Sequence, residues 1–556
     1  MENSGQNDFD MVAGRSQNGI FTFAASAANP LTTGNPMADM LLGNYDTYVE
    51  IGPRAYVPWR TNLFEAFVQY NWKMRSDFTF EYGIRWSRMP PFHSPYNNFL
   101  WFNPNFYDYS RSVTVRPNGS IVPGSGFLYN GLTLPGKGWP EAAIGRVSFA
   151  NDPASKELFH DLPRTFTQVH NLWAPRVGFA WDVGGRHKTV VRGGIGIFYD
   201  FHPKDDYLQP GGKPPLQPQV NISNGPVDNP GAASAGIPIY PLEGAMVDPV
   251  SKNLTTYNWS FGVQQSLSSN LMLEVAYVGV QGRHLYGGMD YNQPVLGTTF
   301  ANPGRALDSL RPFPGMSLIR FMESAYNSNY NALQVTATRR FSAGLQFGAA
   351  YTWSKAMAES EGFGVQALNR YDPHQGRYGR ANHHRQQILN LSYIYELPFS
   401  RGRQGLVRGV FGGWQLSGLT TFQSGQPTNL GVSGDISGTG AGATPVWVSN
   451  PNLPKSERAV TRYFNTEAIA RPPNATWGNL GRNVVVGPGL NNWDLALSKS
   501  FRVREGLRLQ FRSEWFNAFN HSQFTGMSTT FGTGNFGYIT GAASPRVVQF
   551  GLRLEF

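Results

Sequence analysis

Apolar and polar residues alternate one by one along many short stretches of this chain. In the closing stretch, Val548, Phe550, Leu552, Leu554 and Phe556 fall on one face, and Val547, Gln549, Gly551, Arg553 and Glu555 on the other. Side chains of a strand point alternately to its two faces, so this pattern predicts an amphipathic strand. The same reading places Leu507, Leu509, Phe511 and Trp515 opposite Arg508, Gln510, Arg512 and Glu514. Trp493, Leu495, Leu497 and Phe501 stand opposite Asp494, Ala496, Ser498 and Arg502. Phe78, Phe80, Tyr82, Ile84 and Trp86 alternate with Thr79, Glu81, Gly83 and Arg85. Leu345, Phe347, Ala349, Tyr351 and Trp353 alternate with Gln346, Gly348, Ala350, Thr352 and Ser354.

The pattern predicts about fourteen strands. They lie near 38–50, 61–72, 78–88, 174–182, 188–199, 257–267, 271–281, 331–341, 344–355, 387–397, 412–423, 491–502, 507–517 and 546–556. Their connections alternate in length. Residues 73–77, 183–187, 268–270, 342–343 and 503–506 make short turns, with a longer one at 398–411. The intervening segments 89–173, 200–256, 282–330, 356–386, 424–490 and 518–545 are long and rich in Gly, Pro and Asn. Transmembrane barrels have tight periplasmic turns and long extracellular loops, and tilted spanning strands of about this length. The expected fold class is therefore all-β, a transmembrane antiparallel β-barrel. Counting back from a last strand that ends on the short-turn side puts the N-terminus on the periplasmic side. Trp72, Trp86, Tyr351, Trp353, Trp414, Trp493 and Trp515 near strand ends are expected to form an interfacial girdle.

Composition fits this class. Aromatics are 14% of the 556 residues and charged residues 15%, which argues against disorder and a solvated helical protein. A mean hydropathy of −0.34 does not argue for solubility, because every second barrel residue faces water. There is no cysteine, which excludes disulfides, thiolate metal sites and cysteine nucleophiles. The net charge of +10 comes from scattered arginines without a lysine-rich tract, so no nucleic-acid partner is expected. Outer-membrane lipid and lipopolysaccharide are the expected surroundings. The first residues, Met1 to Asp8, have neither basic nor apolar signal regions; the expectation is a chain whose precursor start lies elsewhere. Residues 1–36 are expected to be irregular or partly disordered and 37–556 to form the barrel.

Candidate chemistry is sparse. His383, His384 and Arg385 precede a strand, yet adjacent residues of a strand point apart and no carboxylate motif accompanies them. Gly193, Gly194 and Gly196 lie in a strand with no helix following, so a bend or close packing is expected rather than a phosphate loop. Ser424 and the Gly-rich 431–443 lack a nucleophile-elbow context. Arg508, Arg512, Glu514, Arg553 and Glu555 are expected to face the lumen, pairing with one another or gripping a plug, with substrate contact a lesser option. No catalytic, cofactor or metal residue is assigned, no enzyme is expected, and the substrate-binding residues stay unassigned.

Several segments resemble one family. They include Thr33 to Gly43 (TGNPMADMLLG), Ala66 to Lys73 (AFVQYNWK), Pro175 to Asp182 (PRVGFAWD), and Val191 to Asp200. Tyr330 to Gln334, Tyr351 to Lys355, Gly413 to Gly418, Gln423 to Pro427, Asn479 to Asn483, Asn491 to Asp494 and Glu514 to His521 continue the series in order. Together they resemble the C-terminal barrel region of TonB-dependent outer-membrane receptors of the Oar-like branch. The resemblance implies uptake of a large nutrient (carbohydrate, peptide or metal chelate) through a barrel of about 22 strands. It also implies coupling to the TonB complex through a plug, and neither plug, regulatory sandwich nor TonB box is recognised here. A passive porin-like channel is the alternative, and an outer-membrane adhesin or enzyme a third. An open sheet would leave two edges in lipid. Either a smaller barrel closes, or strands come from elsewhere, or the chain is a fragment of a larger barrel; the last is preferred.

Overall fold

The computed structural model describes all residues except 1, 7–17, 26–28, 53–55, 202–213, 218, 231–238, 361–365, 400–404 and 505. Its centre is one sheet in which thirteen strands follow each other as a continuous antiparallel meander. They are β1 (Phe64–Arg75), β2 (Phe78–Arg88), β3 (Asn171–Asp182), β4 (Thr189–Tyr199), β5 (Thr255–Ser266), β6 (Leu271–Asp290) and β7 (Met316–Ser342). The path continues through β8 (Leu345–Ala358), β9 (Gln387–Glu396), β10 (Trp414–Gln423), β11 (Leu490–Arg504), β12 (Leu507–Phe516) and β13 (Val547–Glu555). Each expected strand from 61–72 onward is present, and short turns alternate with long loops except at the longer connection 397–413, which carries a helix at Leu406–Phe411.

The expected strand at 38–50 is not part of this sheet. Pro36–Leu42 is a helix, started by the Asn35 side chain and ended by Gly43 with φ of 75°. Asn44–Ile51 pairs instead with Ile20–Thr22 and with Gln219–Pro226. Met40, Leu41 and Leu42, apolar positions of the expected strand, belong to this helix and are exposed. Residues Glu2–Gln6, in the segment expected to be irregular, pair with Val57–Thr61. Residues 7–17 and 26–28 of that segment lie outside the described residues.

This also corrects the direction of entry. Phe64 pairs with Arg88, at the end of β2 that leads into the loop 89–170. The chain therefore reaches β1 from the long-loop end, not from the short-turn end. β1 and β13 consequently run in the same direction. Among the described residues neither has a second strand neighbour, so the sheet has two open edges.

The register carries one apolar face across the wall. Trp72, Phe80, Phe179, Gly193, Phe261, Tyr277, Leu333 and Trp353 form one continuous row. Glu81, Gly178, Gly194, Ser260, Val278, Ala332 and Ser354 form the neighbouring row on the opposite face. Close packing explains glycine on the apolar face. A Cβ at Gly193 would come within 2.6 Å of the Phe179 ring, and one at Gly418 within 2.7 Å of Tyr393. Both are direct cross-strand pairs, so the aromatic ring lies over its glycine partner. Of the expected girdle, Trp72 and Trp414 lie near the short turns, and Trp86, Trp353, Trp493 and Trp515 toward the long loops. Tyr351 is mid-strand, because β8 runs on to Ala358.

Two strands run far beyond a membrane. β7 has 27 residues, about 90 Å at strand rise, where a tilted spanning strand needs about 10. β6 and β7 pair regularly up to Gly282–Ser328, shift register between Gly282 and Gly287, and continue to Asp290–Arg320. His284, with φ of 55°, sits in that irregularity. The shift breaks the alternation, which is why the pattern alone ends these strands near 281 and 331.

The β7–β8 turn is Ala343-Gly344, with φ of 53° and 83°. Positive φ at both positions is the type I′ geometry that suits the twist of paired strands, and it favours Asn-Gly. Alanine in the left-handed region costs about 1 kcal/mol. Ala343→Asn is expected to raise wall stability by about 0.5–1 kcal/mol, and Gly344→Val to lower it by more. Urea unfolding in lipid vesicles, followed by tryptophan fluorescence, measures both.

Candidate functional site

The long loops fold into a layer of their own at one end of the wall. Three buried apolar clusters build it. The first joins Leu100, Phe102, Leu134 and Leu158 of the loop 89–170 to Leu216, Phe313 and the outer part of β7 through Met316 and Ile319. The second places Val57 and Trp59, just before β1, among Phe92, Phe99, Trp101, Val247 and Met322. The third joins Leu430, Phe464, Ile469, Leu480 and Val485 of 424–489 to Met527, Phe531 and Phe536 of 517–546. Leu242–Val247 adds a parallel strand beside Met316–Met322. Non-alternating apolar runs such as Phe99-Leu100-Trp101-Phe102 are the signal in the sequence for this buried loop structure.

Within the layer lies a polar cluster built around the buried Tyr326 and Arg377. Tyr326 donates its hydroxyl to Glu323 Oε1 at 2.7 Å. The guanidinium of Arg377 covers the Tyr326 ring at 4.8 Å and donates to the Glu359 carbonyl at 3.0 Å. Glu359 accepts from the Asn327 backbone at 2.8 Å and lies 3.2 Å from His374 Nδ1. Burial pushes the Glu323 carboxyl above the usual range, and burial also lowers the Arg377 guanidinium. Arg311, itself buried, bridges Asp290 at 2.7 Å and Asp308 at 2.6 Å. These contacts fix loop shape. Among the described residues, no group of three or more His, Asp or Glu is arranged to hold a metal ion.

The sequence candidates are placed as follows. His384 is buried, and its Nδ1 accepts the backbone N–H of Ala356 at 3.2 Å, tying the loop to the outer end of β8. Its pKa is lowered by burial, then by Arg380, Arg385, His383 and Lys355. Arg385 donates to the Gln426 side chain at 2.8 Å. On the wall, Arg512 pairs with Glu514 at 2.5 Å and Arg553 with Glu555 at 3.3 Å. Arg508 stands opposite Glu555 in register. All five lie on one face, and two ion pairs form among them, Arg512–Glu514 and Arg553–Glu555, each exposed pair contributing about 0.2–1 kcal/mol. The Ser424 hydroxyl accepts from the backbone N–H of Gln387 at 3.1 Å. Lys499 lies in β11 out of step with the alternating pattern. It interrupts the apolar set of β11, is almost fully buried, and donates to the carbonyls of Gly409 at 2.5 Å and Val410 at 2.7 Å.

An apolar outer face, a polar inner face and ring-over-glycine pairing describe a wall built to stand in lipid. The chain matches the model of the outer membrane beta barrel domain family over residues 3–549. It belongs to that family. As an outer-membrane barrel, it carries its short turns toward the periplasm and its loop layer outside the cell. No curated protein matches the chain. Among solved structures it is similar to the ferripyoverdine receptor of Pseudomonas aeruginosa, with 10% identity and a TM-score of 0.39, covering 91% of this chain and 40% of that one. It is similar to the siderophore receptor PiuA of Acinetobacter baumannii, with 8% identity and a TM-score of 0.37, covering 92% and 44%. For the outer membrane transporter YddB of Escherichia coli the values are 8%, 0.37, 92% and 54%. The chain thus spans about half the length of these structures or less.

Two outcomes follow for the loop layer. Trp59→Ala removes a fully buried indole and should cost the layer about 3–5 kcal/mol. Limited proteolysis should then cut within 89–170 while the wall keeps its heat-modifiable band on gels. Glu323 is raised, so the folded layer binds its proton more tightly than the unfolded chain does. Stability should therefore rise as pH falls from neutral toward the ordinary carboxylate range. In Glu323→Gln that rise should vanish, as measured by the pH dependence of loop proteolysis.

Proposed function

We propose that this barrel is the wall of a TonB-dependent receptor that takes up a large nutrient, of the carbohydrate, peptide or metal-chelate class. The observation that carries this reading is the packed loop layer. A receptor needs a fixed external surface to bind its ligand, and three apolar clusters hold the loops in one shape. The ordered series of segments resembling the Oar-like branch supports the same reading. The ligand would meet exposed aromatics of the layer such as Tyr109, Tyr371 and Trp447. Coupling to the TonB complex would run through a plug, a role given to no residue of this chain. No catalytic role is proposed.

The wall itself is proposed to be part of a larger one. Direct closure of β1 on β13 would pair two strands running the same way. Bacterial outer-membrane barrels keep an even number of antiparallel strands, so an odd number of further strands would complete it.

A passive channel is the second reading, favoured by the small inner-face residues Gly178, Gly194, Gly262 and Ala276. The two separate in one measurement. The protein extracted from outer membranes and placed in planar bilayers is expected to conduct little, and nutrient uptake by cells is expected to stop when TonB is deleted. Steady ohmic conductance with TonB-independent uptake would decide for the channel.

A further inference from the structure

On the lipid-facing side of the wall, where the loop layer begins, lies a cavity of about 500 Å³. Its floor is the outward row Tyr277, Leu333 and Trp353, all three exposed. β8 runs from its short turn toward the loops, so each further step on this face moves outward. The next outward pair is Asn331 with Lys355, and the one after is Met357 with Arg380. Lys355 and Arg380 both line the cavity. An aromatic and aliphatic floor thus passes directly into a cationic rim.

The rim is strongly one-signed. Arg380, Arg385, His383 and Lys355 are all close enough to act electrostatically on His384, with no carboxylate among the groups that do. Among the described residues neither Lys355 nor Arg380 forms an ion pair. Glu359, the carboxylate farther along β8, is already engaged by Asn327 and His374. A cation on a lipid-facing surface is costly at the membrane midplane and nearly free at the interface. Against an anionic lipid surface each such cation is favourable. Arginine and lysine offer donors for phosphate oxygens, and Tyr277 and Trp353 are suited to the boundary between chains and headgroups.

We infer that this cavity is a binding site for one phosphorylated lipid of the outer leaflet, its phosphate held by Lys355 and Arg380 and an acyl chain lying along Tyr277, Leu333 and Trp353. This inference needs only the barrel's outward face and stands apart from the transport reading. Asn331, held by the Tyr277 hydroxyl at 2.6 Å, sets the level at which the floor gives way to the rim. The loop beside β8 is locked by the His384 contact to Ala356, which keeps the cationic rim in place.

The test uses the protein extracted from outer membranes in mild detergent, titrated with diphosphoryl lipid A and followed by native mass spectrometry. Lipid A is expected to bind with preference over phosphatidylethanolamine. The double substitution Lys355→Gln with Arg380→Gln should weaken it about tenfold or more, about 1.4 kcal/mol. Trp353→Ala should weaken lipid A while leaving the heat-modifiable fold intact. A matched pair, Arg186→Gln with Lys188→Gln in the short β3–β4 turn, should bind as the unaltered protein does. Equal affinity in the Lys355/Arg380 variant, or no preference for lipid A, would overturn the proposal. Displacement by millimolar inorganic phosphate alone would also overturn it, because it would mark a free-anion site.

Discussion

Backbone N–H and C=O groups in hydrocarbon have no water to bind, and each one left unpaired costs several kcal/mol. Everything in the wall answers to that cost. Thirteen strands give each interior strand a partner on both sides. Turns such as Ala343-Gly344 accept left-handed backbone to keep adjacent strands in register. Glycine is used under an aromatic ring, as at Gly193 and Gly418, where the ring covers the space that a side chain would fill. The cost is left open at β1 and β13, whose outer edges have no partner among the described residues.

Hydrophobic burial does its work elsewhere. The wall turns its apolar residues out toward lipid, so Phe550, Leu552 and Ile195 are exposed. The buried apolar clusters sit in the loop layer, which stands in water and must bury apolar surface to fold. The molecule thus has two solvents and two ways of being stable. β7 joins them: its lower part stands in the wall, and its upper part, through Met316, Ile319 and Met322, enters the loop core. Glu323, half-buried beside that core, feels the loss of water in its ionisation, whereas the paired charges Arg512–Glu514 on the wall lie open to it.

The boundary between the two solvents is where charge and apolar surface meet on the same face. Lys355 and Arg380 lie one and two steps above the Trp353 row, and His384 locks the adjoining loop. His383, His384 and Arg385 form a run of adjacent basic residues in the sequence. Their meaning depends on Lys355 and Arg380, which adjoin them only once β8 and the following loop are packed together.

Period-two alternation is a local property, and it determined the wall: strand order, which face meets lipid, the short-turn and long-loop ends, and the shared face of Arg508, Arg512, Glu514, Arg553 and Glu555. It failed where a long-range partner overrode the local pattern. Residues 38–50 alternate well enough to suggest a spanning strand, yet a helix cap at Asn35 and pairing with residues 219–226 draw them into the loop layer. The register shift near His284 hid the outer halves of β6 and β7. The loop clusters bring together residues more than two hundred positions apart, such as Tyr107 and Phe313, and no periodicity encodes such a meeting. The sequence alone determined what must face lipid, because that is decided residue by residue. Only the tertiary structure decided what lies above the membrane, because burial in water is settled by whichever distant surfaces fit.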